Sequence, residues 1–342
     1  MIQLFNQQLY DKLQQILKQT QRALIVSHIN PDGDAIGSSL GLACLLKQHI
    51  SQVDVVMPNH FPDFLRWMEG ASDIRIYRQE AEKVERLVDE ADVIFCLDFN
   101  NLERIEELGK YIAQSKAQRI LIDHHLNPRQ DEFDLMFSHI PASSTSELVY
   151  RISVAVSKAT AIPKSAAEAI YCGIMTDTGS FAHSSSNPEL FRIVANLLEC
   201  GVDKDQISAL VYDNFSADRM KLLGYSLNEK MVVLPQYRTS YISLSREELN
   251  SYSFCPGDTE GFVNYPLSIK NVMLSVFFVE AMNHIKVSIR TRGNFSANEF
   301  SASHFNGGGH KNAAGGKLFC SLSEAIQLLE SILPSYEKAL HQ

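Results

Sequence analysis

Four stretches of the 342-residue chain gather aspartate and histidine where an apolar run or a helical pattern stops. His28, Asp32 and Asp34 follow the run Arg22–Ser27. Asp98 follows the apolar run at 92–97, and Asp123-His124-His125 follow the run at 119–122. Asp177 follows a helical pattern at 165–175. Each group alone has an ordinary reading. Pro31-Asp32-Gly33-Asp34 is good turn chemistry, Asp98 could cap a helix, His124-His125 could be a surface pair, and Asp177-Thr178-Gly179 could be a loop after a helix. Together these readings are weak, because a sheet has no structural need for so many carboxylates and imidazoles at its element ends.

The chemistry that needs such a set is a two-metal site. Carboxylate oxygens suit hard divalent cations, and imidazole suits first-row metals such as Mn²⁺. Asp32, Asp34, Asp98 and Asp177 bring four negative charges, which two divalent ions would cancel. Without metal, carboxylates crowded into one cleft raise one another's pKa. Two metals about 3.5–4 Å apart can activate water and stabilise both oxygens of an in-line displacement at phosphorus. No cysteine belongs to any of the groups, which argues against structural zinc. Ala35-Ile36-Gly37-Ser38-Ser39 opens a helix directly after the first group, and its amides could favour a bound anion.

These groups need elements to hold them. Residues 22–27, 53–57, 92–97 and 119–122 read as short buried strands. Helical patterns at 35–49, 79–90 and 101–114 alternate with them. That alternation predicts a doubly wound, mainly parallel α/β sheet with helices on both faces. Ligands of such sheets bind beyond the carboxyl ends of the strands, where the groups lie. Before them, residues 1–20 read as an amphipathic helix without the apolar core of a signal peptide. Later helices are expected at 165–175, from Pro188 to Cys200 with Asn187 as cap, over 204–228 and over 321–340. From Met231 the pattern turns strand-rich, which places a domain boundary between about 188 and 228.

A second cluster lies in the later segment. Arg290-Thr291-Arg292 alternate on a strand, so both guanidinium groups are expected on one face. Gly307-Gly308-Gly309-His310 follows, and three glycines before a histidine let backbone amides approach an anion closely. Arginine is the bidentate partner of phosphate. A flexible loop with two surface arginines is the plain alternative.

Composition sets limits. Lys+Arg is 31 against Asp+Glu 40, a net charge of −9, which disfavours long duplex DNA and anionic membranes as partners. Hydrophobic residues at 45% can build real cores and exclude disorder. No run is apolar and long enough for a transmembrane helix. The six cysteines include no Cys-x-x-Cys pair and read mostly as buried free thiols, as in a reducing cytoplasm.

At these motifs the sequence resembles the DHH phosphoesterase superfamily, named for the tripeptide seen here at Asp123-His124-His125. It is most similar to the bacterial nanoRNase and phosphoadenosine-phosphate phosphatase family, and the likeness spans nearly the whole chain. SHINPDGDAIGSS at 27–39, Asp98 with Arg104, GIMTDTGSF at 173–181 and GGGHKNAAGG at 307–316 carry the remaining likeness. The resemblance implies a DHH domain over 1–187, a helical connector over 188–228 and a DHHA-type substrate-binding α/β domain over 229–342, with a cleft between the domains. It implies two divalent ions, Mn²⁺ first. His28, Asp32 and Asp98 would hold one, and Asp34, Asp98, His124 and Asp177 the other. Asp123 would orient His124, and His125 would touch the scissile phosphate. Arg290, Gly308, Gly309 and His310 would bind the substrate's second phosphate or sugar end, with Arg292 and Gly307 beside them. The family often has four glycines before that histidine, where this chain has Asn306.

The implied activity is hydrolysis of very short oligoribonucleotides, linear dinucleotides and 3′-phosphoadenosine 5′-phosphate in the cytoplasm. Exopolyphosphatase, pyrophosphatase and cyclic-dinucleotide phosphodiesterase activities share the chemistry. A RecJ-type exonuclease would need a further nucleic-acid-binding domain, and an inactive nucleotide-binding module would have lost a metal ligand. Oligomeric state stays open, a homodimer included.

Overall fold

In the computed structural model, which describes residues 4–157 and 161–342, β1 (Arg22–Ser27) runs between two parallel neighbours. The chain divides into two compact units, Met1–Asn214 and Phe215–Gln342.

The first unit contains, in order, α1 (Gln7–Gln19), β1, α2 (Gly33–Leu46), β2 (Gln52–Met57), β3 (Arg75–Ile76), α3 (Tyr77–Glu90), β4 (Val93–Leu97), α4 (Glu106–Gln114), β5 (Gln118–Asp123), β6 (Leu135–Ser138), α5 (Thr145–Ser157), α6 (Lys164–Asp177), α7 (Pro188–Glu199) and α8 (Lys204–Tyr212). Its six strands are all parallel in the order β3-β2-β1-β4-β5-β6. Successive side chains of a strand point to opposite faces, and β1 shows what that does here. Ala23 and Ile25 enter the core shared with α1, α2, α5 and α6, whereas Leu24 and Val26 enter the core shared with α3 and α4. Both faces are covered, which is why the strands read as continuous apolar runs.

Several boundaries differ from the sequence expectation. The helix expected over 35–49 starts earlier, at Gly33, because Asp32 caps it by accepting from the amides of Asp34 and Ala35. The expected helix over 101–114 divides into a 3₁₀ turn, Leu102–Ile105, and α4, because Glu106 takes a positive φ of 52°. The stretch over 204–228 divides where Ser216 caps a new helix. The short strands β3 and β6 and the helix α5 had no reading in sequence.

The packing of α2 on α6 depends on small residues. A Cβ at Gly37 would stand 2.5 Å from the Ala169 carbonyl oxygen and 2.9 Å from the Gly173 amide nitrogen. Neither backbone atom can rotate away. Gly37→Ala is therefore expected to destabilise the first unit by about 1–3 kcal/mol, with overpacking outweighing the better helix propensity of alanine. Denaturant unfolding checks this. An unchanged midpoint would mean that the two helices separate freely.

The second unit contains α9 (Ala217–Asn228), β7 (Met231–Leu234), β8 (Thr239–Leu244), α10 (Arg246–Ser251), β9 (Leu274–Glu280), β10 (Ile285–Thr291), α11 (Ala297–His304), β11 (Gly308–Gly309), β12 (Ala313–Leu318) and α12 (Leu322–Leu340). Its mixed sheet has the order β11-β12-β10-β9-β8-β7, with β8 and β9 parallel and the other pairs antiparallel. All six cysteines are free, but only Cys96 and Cys172 are fully buried, and Cys255 and Cys320 are exposed. No described helix is long and apolar enough to cross a membrane.

Candidate active site

In the first unit the strand order reverses direction at β1 and β4, and a crevice beyond their carboxyl ends is the expected ligand site of such a sheet. His28 follows β1 directly, Asp98 follows β4 and His124 follows β5. Asp98 has a positive φ of 64°, a conformation that aspartate tolerates better than most residues. Backbone strain of this kind gathers at functional sites. Asp32 and Asp34 sit at the start of α2, and Asp177 is the last residue of α6. Arg104 contributes through its backbone, its carbonyl accepting from the Ile29 amide at 3.0 Å beside His28.

The side chains converge. His28 Nε2 lies 3.4 Å from Asp98 Oδ2 and 3.9 Å from Asp32 Oδ1. His124 Nε2 lies 3.5 Å from Asp98 Oδ1, 3.5 Å from Asp177 Oδ2 and 3.9 Å from Asp34 Oδ2. Asp98 thus turns one oxygen toward each group. Among the described residues, His28, Asp32 and Asp98 form one set whose ligand atoms lie within 4.8 Å of one another, and Asp34, His124 and Asp177 form another.

Asp123 does not orient His124, as the resemblance had implied. Its Oδ1 lies 2.7 Å from His125 Nδ1, while His124 Nδ1 meets the Ala142 carbonyl at 3.2 Å. The reason is periodicity, since residues two apart in an extended chain share a face and adjacent ones do not.

The electrostatics are those of a crowded anionic site. Burial opposes a charged His28, but its hydrogen bond to Asp98 and the charges of Asp32 and Asp98 prevail and raise it to about 9. Burial likewise opposes a charged His124, yet Asp98, Asp177 and Asp34 hold it well above the usual imidazole range. Burial, then repulsion from Asp98 and Asp177, pushes Asp34 well above the carboxylate range. Burial, with repulsion from Asp98 and Asp32 only partly offset by His124 and His125, raises Asp177 to about 6. Asp98 alone goes down despite burial, because three imidazoles face it.

These residues fit divalent cations. The donors are carboxylate and imidazole, and buried Asp123 Oδ2 has no hydrogen-bond partner. Burial, and then the Asp34 charge, pushes the nearby Cys172 thiol up to about 12.

In the second unit Arg290 lies half-buried in β10, opposite Ala313 of β12, and Gly309 pairs with Ala314 on the other side of β12. β10 ends at Thr291, which is buried between half-buried Arg290 and exposed Arg292, and the Arg292 amide donates to the Met273 carbonyl one residue beyond the strand. The expectation for the glycine run is corrected. A Cβ at Gly307 would stand 1.8 Å from the Gly315 carbonyl oxygen, so this glycine serves close packing. The Gly309 amide, at a φ of 147°, already donates to Asn298 Oδ1 at 2.8 Å. The His310 amide donates to the Ala313 carbonyl. Asn298, on α11, was missed in sequence because nothing local marks it.

The segment Ser143–Glu147 was also missed. Thr145 and Ser146 donate their amides to Asp34 Oδ2 and Oδ1 at 2.6 and 2.9 Å. The Thr145 hydroxyl donates to Asp98 Oδ1 at 2.9 Å. Ser144-Thr145-Ser146-Glu147 is an S-x-x-E helix-start pattern, and Ser144 Oγ indeed accepts from the Glu147 amide. That pattern was the available signal.

A crystal structure of an exopolyphosphatase-related protein from Bacteroides fragilis is 44% identical, with full coverage of both chains and a TM-score of 0.95. Residues 22–174 match the DHH family, N-terminal domain, and residues 244–334 match the DHHA1 domain. The chain belongs to the DHH family. It is accordingly a phosphoesterase, a metal-dependent hydrolase. Among curated DHH relatives, the probable bifunctional oligoribonuclease and PAP phosphatase NrnA of Streptococcus mutans is 27% identical over 92% of this chain and 95% of its own. The bifunctional oligoribonuclease and PAP phosphatase NrnA of Bacillus subtilis is 25% identical over 89% of this chain and 91% of its own.

Proposed function

We propose that this DHH phosphoesterase hydrolyses very short oligoribonucleotides and 3′-phosphoadenosine 5′-phosphate, releasing nucleoside 5′-monophosphates, with Mn²⁺ as the metal. The observation that carries the reading is Asp98 set between two carboxylate–imidazole groups. The names of the two NrnA relatives, over about nine-tenths of the chain, support the substrate class.

His28, Asp32 and Asp98 are the proposed holders of one ion, and Asp34, Asp98, His124 and Asp177 of the other. Two bound divalent ions would supply Lewis-acid charge beside phosphorus and a site where water ionises near neutral pH. Asp123 accepts from His125 Nδ1 and fixes the ring, and Nε2 is the nitrogen proposed to face the reacting phosphate. In the second unit, Arg290, Gly308 and His310 are proposed to bind the non-reacting phosphate, with Arg292, Gly307 and Gly309 shaping that surface. A net charge of −9 supports short nucleotides over long strands, and six free thiols support a cytoplasmic setting.

Arg290→Ala is expected to raise KM about 10–100-fold with kcat nearly unchanged, the loss of one charge-assisted contact made equally in ground and transition states. A collapsed kcat at normal KM would move Arg290 to the reacting phosphate.

A second reading is phosphoanhydride hydrolysis, as exopolyphosphatase or pyrophosphatase, and the name of the 44% identical Bacteroides protein, exopolyphosphatase-related, supports the first of these. One panel separates the two. It contains phosphoadenosine phosphate, ribonucleotide dimers to pentamers, a long single strand, linear and cyclic diadenylate, pyrophosphate and polyphosphate, each with Mn²⁺ and with chelator. Turnover of the short nucleotides is the expected result. Turnover of polyphosphate or pyrophosphate alone would overturn the substrate reading and keep the metal site.

A further inference from the structure

Thr145 is wholly buried at the start of α5, and through two hydrogen bonds it touches carboxylates of both candidate metal groups. Its amide and that of Ser146 hold the two oxygens of Asp34. Its hydroxyl donates to Asp98 Oδ1 at 2.9 Å. The other groups facing Asp98 are the imidazoles of His28, His124 and His125. Two of those are themselves proposed ligands, and their protons must leave when a metal binds. The threonine hydroxyl is a neutral donor that keeps its proton and its place.

A carboxylate rotates easily about its last torsion, because sp³–sp² torsions have broad, shallow wells. A fixed donor on Oδ1 removes that freedom and keeps Oδ2 turned to His28. The loop carrying Thr145 is itself held: the Ser143 amide donates to Glu147 Oε2 at 2.7 Å, and Arg151 Nε donates to Glu147 Oε1 at 2.7 Å. This pair is nearly inaccessible to solvent.

We propose that Thr145 is a positioning residue of the metal centre, its hydroxyl setting the rotation of Asp98 so that one carboxylate serves both metal groups. The proposal rests on the metal reading given above. Hydrogen-bond partners of metal ligands typically contribute 10–100-fold to metal affinity.

The test is a calorimetric Mn²⁺ titration of the metal-free full chain. Thr145→Val keeps the branched shape and both backbone bonds to Asp34 but removes the hydroxyl. It is expected to bind Mn²⁺ about 10–100-fold more weakly, and Thr145→Ser to stay within about threefold of wild type. The Mn²⁺-induced rise in Tm should shrink in the valine variant, following the affinity loss. Wild-type affinity in Thr145→Val would overturn the proposal. So would a Thr145→Ser variant as weak as Thr145→Val, since the hydroxyl would then be irrelevant. If the valine variant fails to fold, Thr145→Ala takes its place with the same expected results. Absence of Mn²⁺ binding by the wild-type chain would sink the metal reading itself, a different result from any of these.

Discussion

Asp98→Asn is expected to lower metal-dependent turnover by on the order of 10³-fold or more while both sheets stay folded. Asparagine keeps the size and the acceptor for Thr145, but it removes the charge that both groups share. Asp98 is buried, with Oδ2 3.4 Å from His28 Nε2 and Oδ1 3.5 Å from His124 Nε2. A second readout needs no metal. His28 is raised to about 9 against the opposing effect of burial, chiefly by its hydrogen bond to Asp98. In Asp98→Asn, titration of the metal-free protein followed by NMR should bring His28 down toward or below its ordinary range. Wild-type turnover in the variant would remove Asp98 from the centre.

The second large effect is the pH dependence of metal binding. The surrounding carboxylates favour the protonated form of His28, raised to about 9, and of His124, held well above the imidazole range. A ligating nitrogen must lose its proton, so binding releases protons and tightens as pH rises. Each released proton contributes up to about tenfold in affinity per pH unit, until pH passes about 9 for His28. Asp177, raised to about 6, adds to the slope only in acid.

Stability of the metal-free protein should move the other way. The folded pKa of His28 is raised above its unfolded value, so its contribution is complete below about pH 6.5 and lost as pH rises through about 9. The loss is on the order of 2–3 kcal/mol. Chelated protein should therefore weaken between pH 7 and 9, where metal affinity grows. Mn²⁺ titrations in buffers of different ionisation heat, with denaturant unfolding at each pH, measure both trends. A pH-independent affinity would exclude His28 and His124 as ligands.

Much of the site was legible because its residues stand where local patterns stop. Asp32 is a turn residue that became a helix cap, and Asp98, Asp123 and His124 stand at or next to the ends of continuous apolar strands. The two-residue alternation Arg290-Thr291-Arg292 was legible too, but the point where β10 stops was not. That end depends on pairing with β9, whose last partner for β10 is Leu274, opposite Thr291. The glycines at 307–309 were visible as glycines. Their neighbours, Gly315 and Asn298, belong to other elements and carry no local signal.

The sequence by itself determined the class of sheet and the chemistry of its element ends. These follow from side-chain type and from periods of two and 3.6 residues, which are local properties. Tertiary structure alone decided which ends meet. Ser27 pairs with Leu97 across 70 residues of chain, and that single register places His28 beside Asp98. It also decided that Asp123 holds His125, that Thr145 holds Asp98, and that Gly307 fills space beside Gly315. Each of the last two joins residues from separate elements. Such contacts are selected by the packing of whole faces, and no short stretch of sequence encodes them.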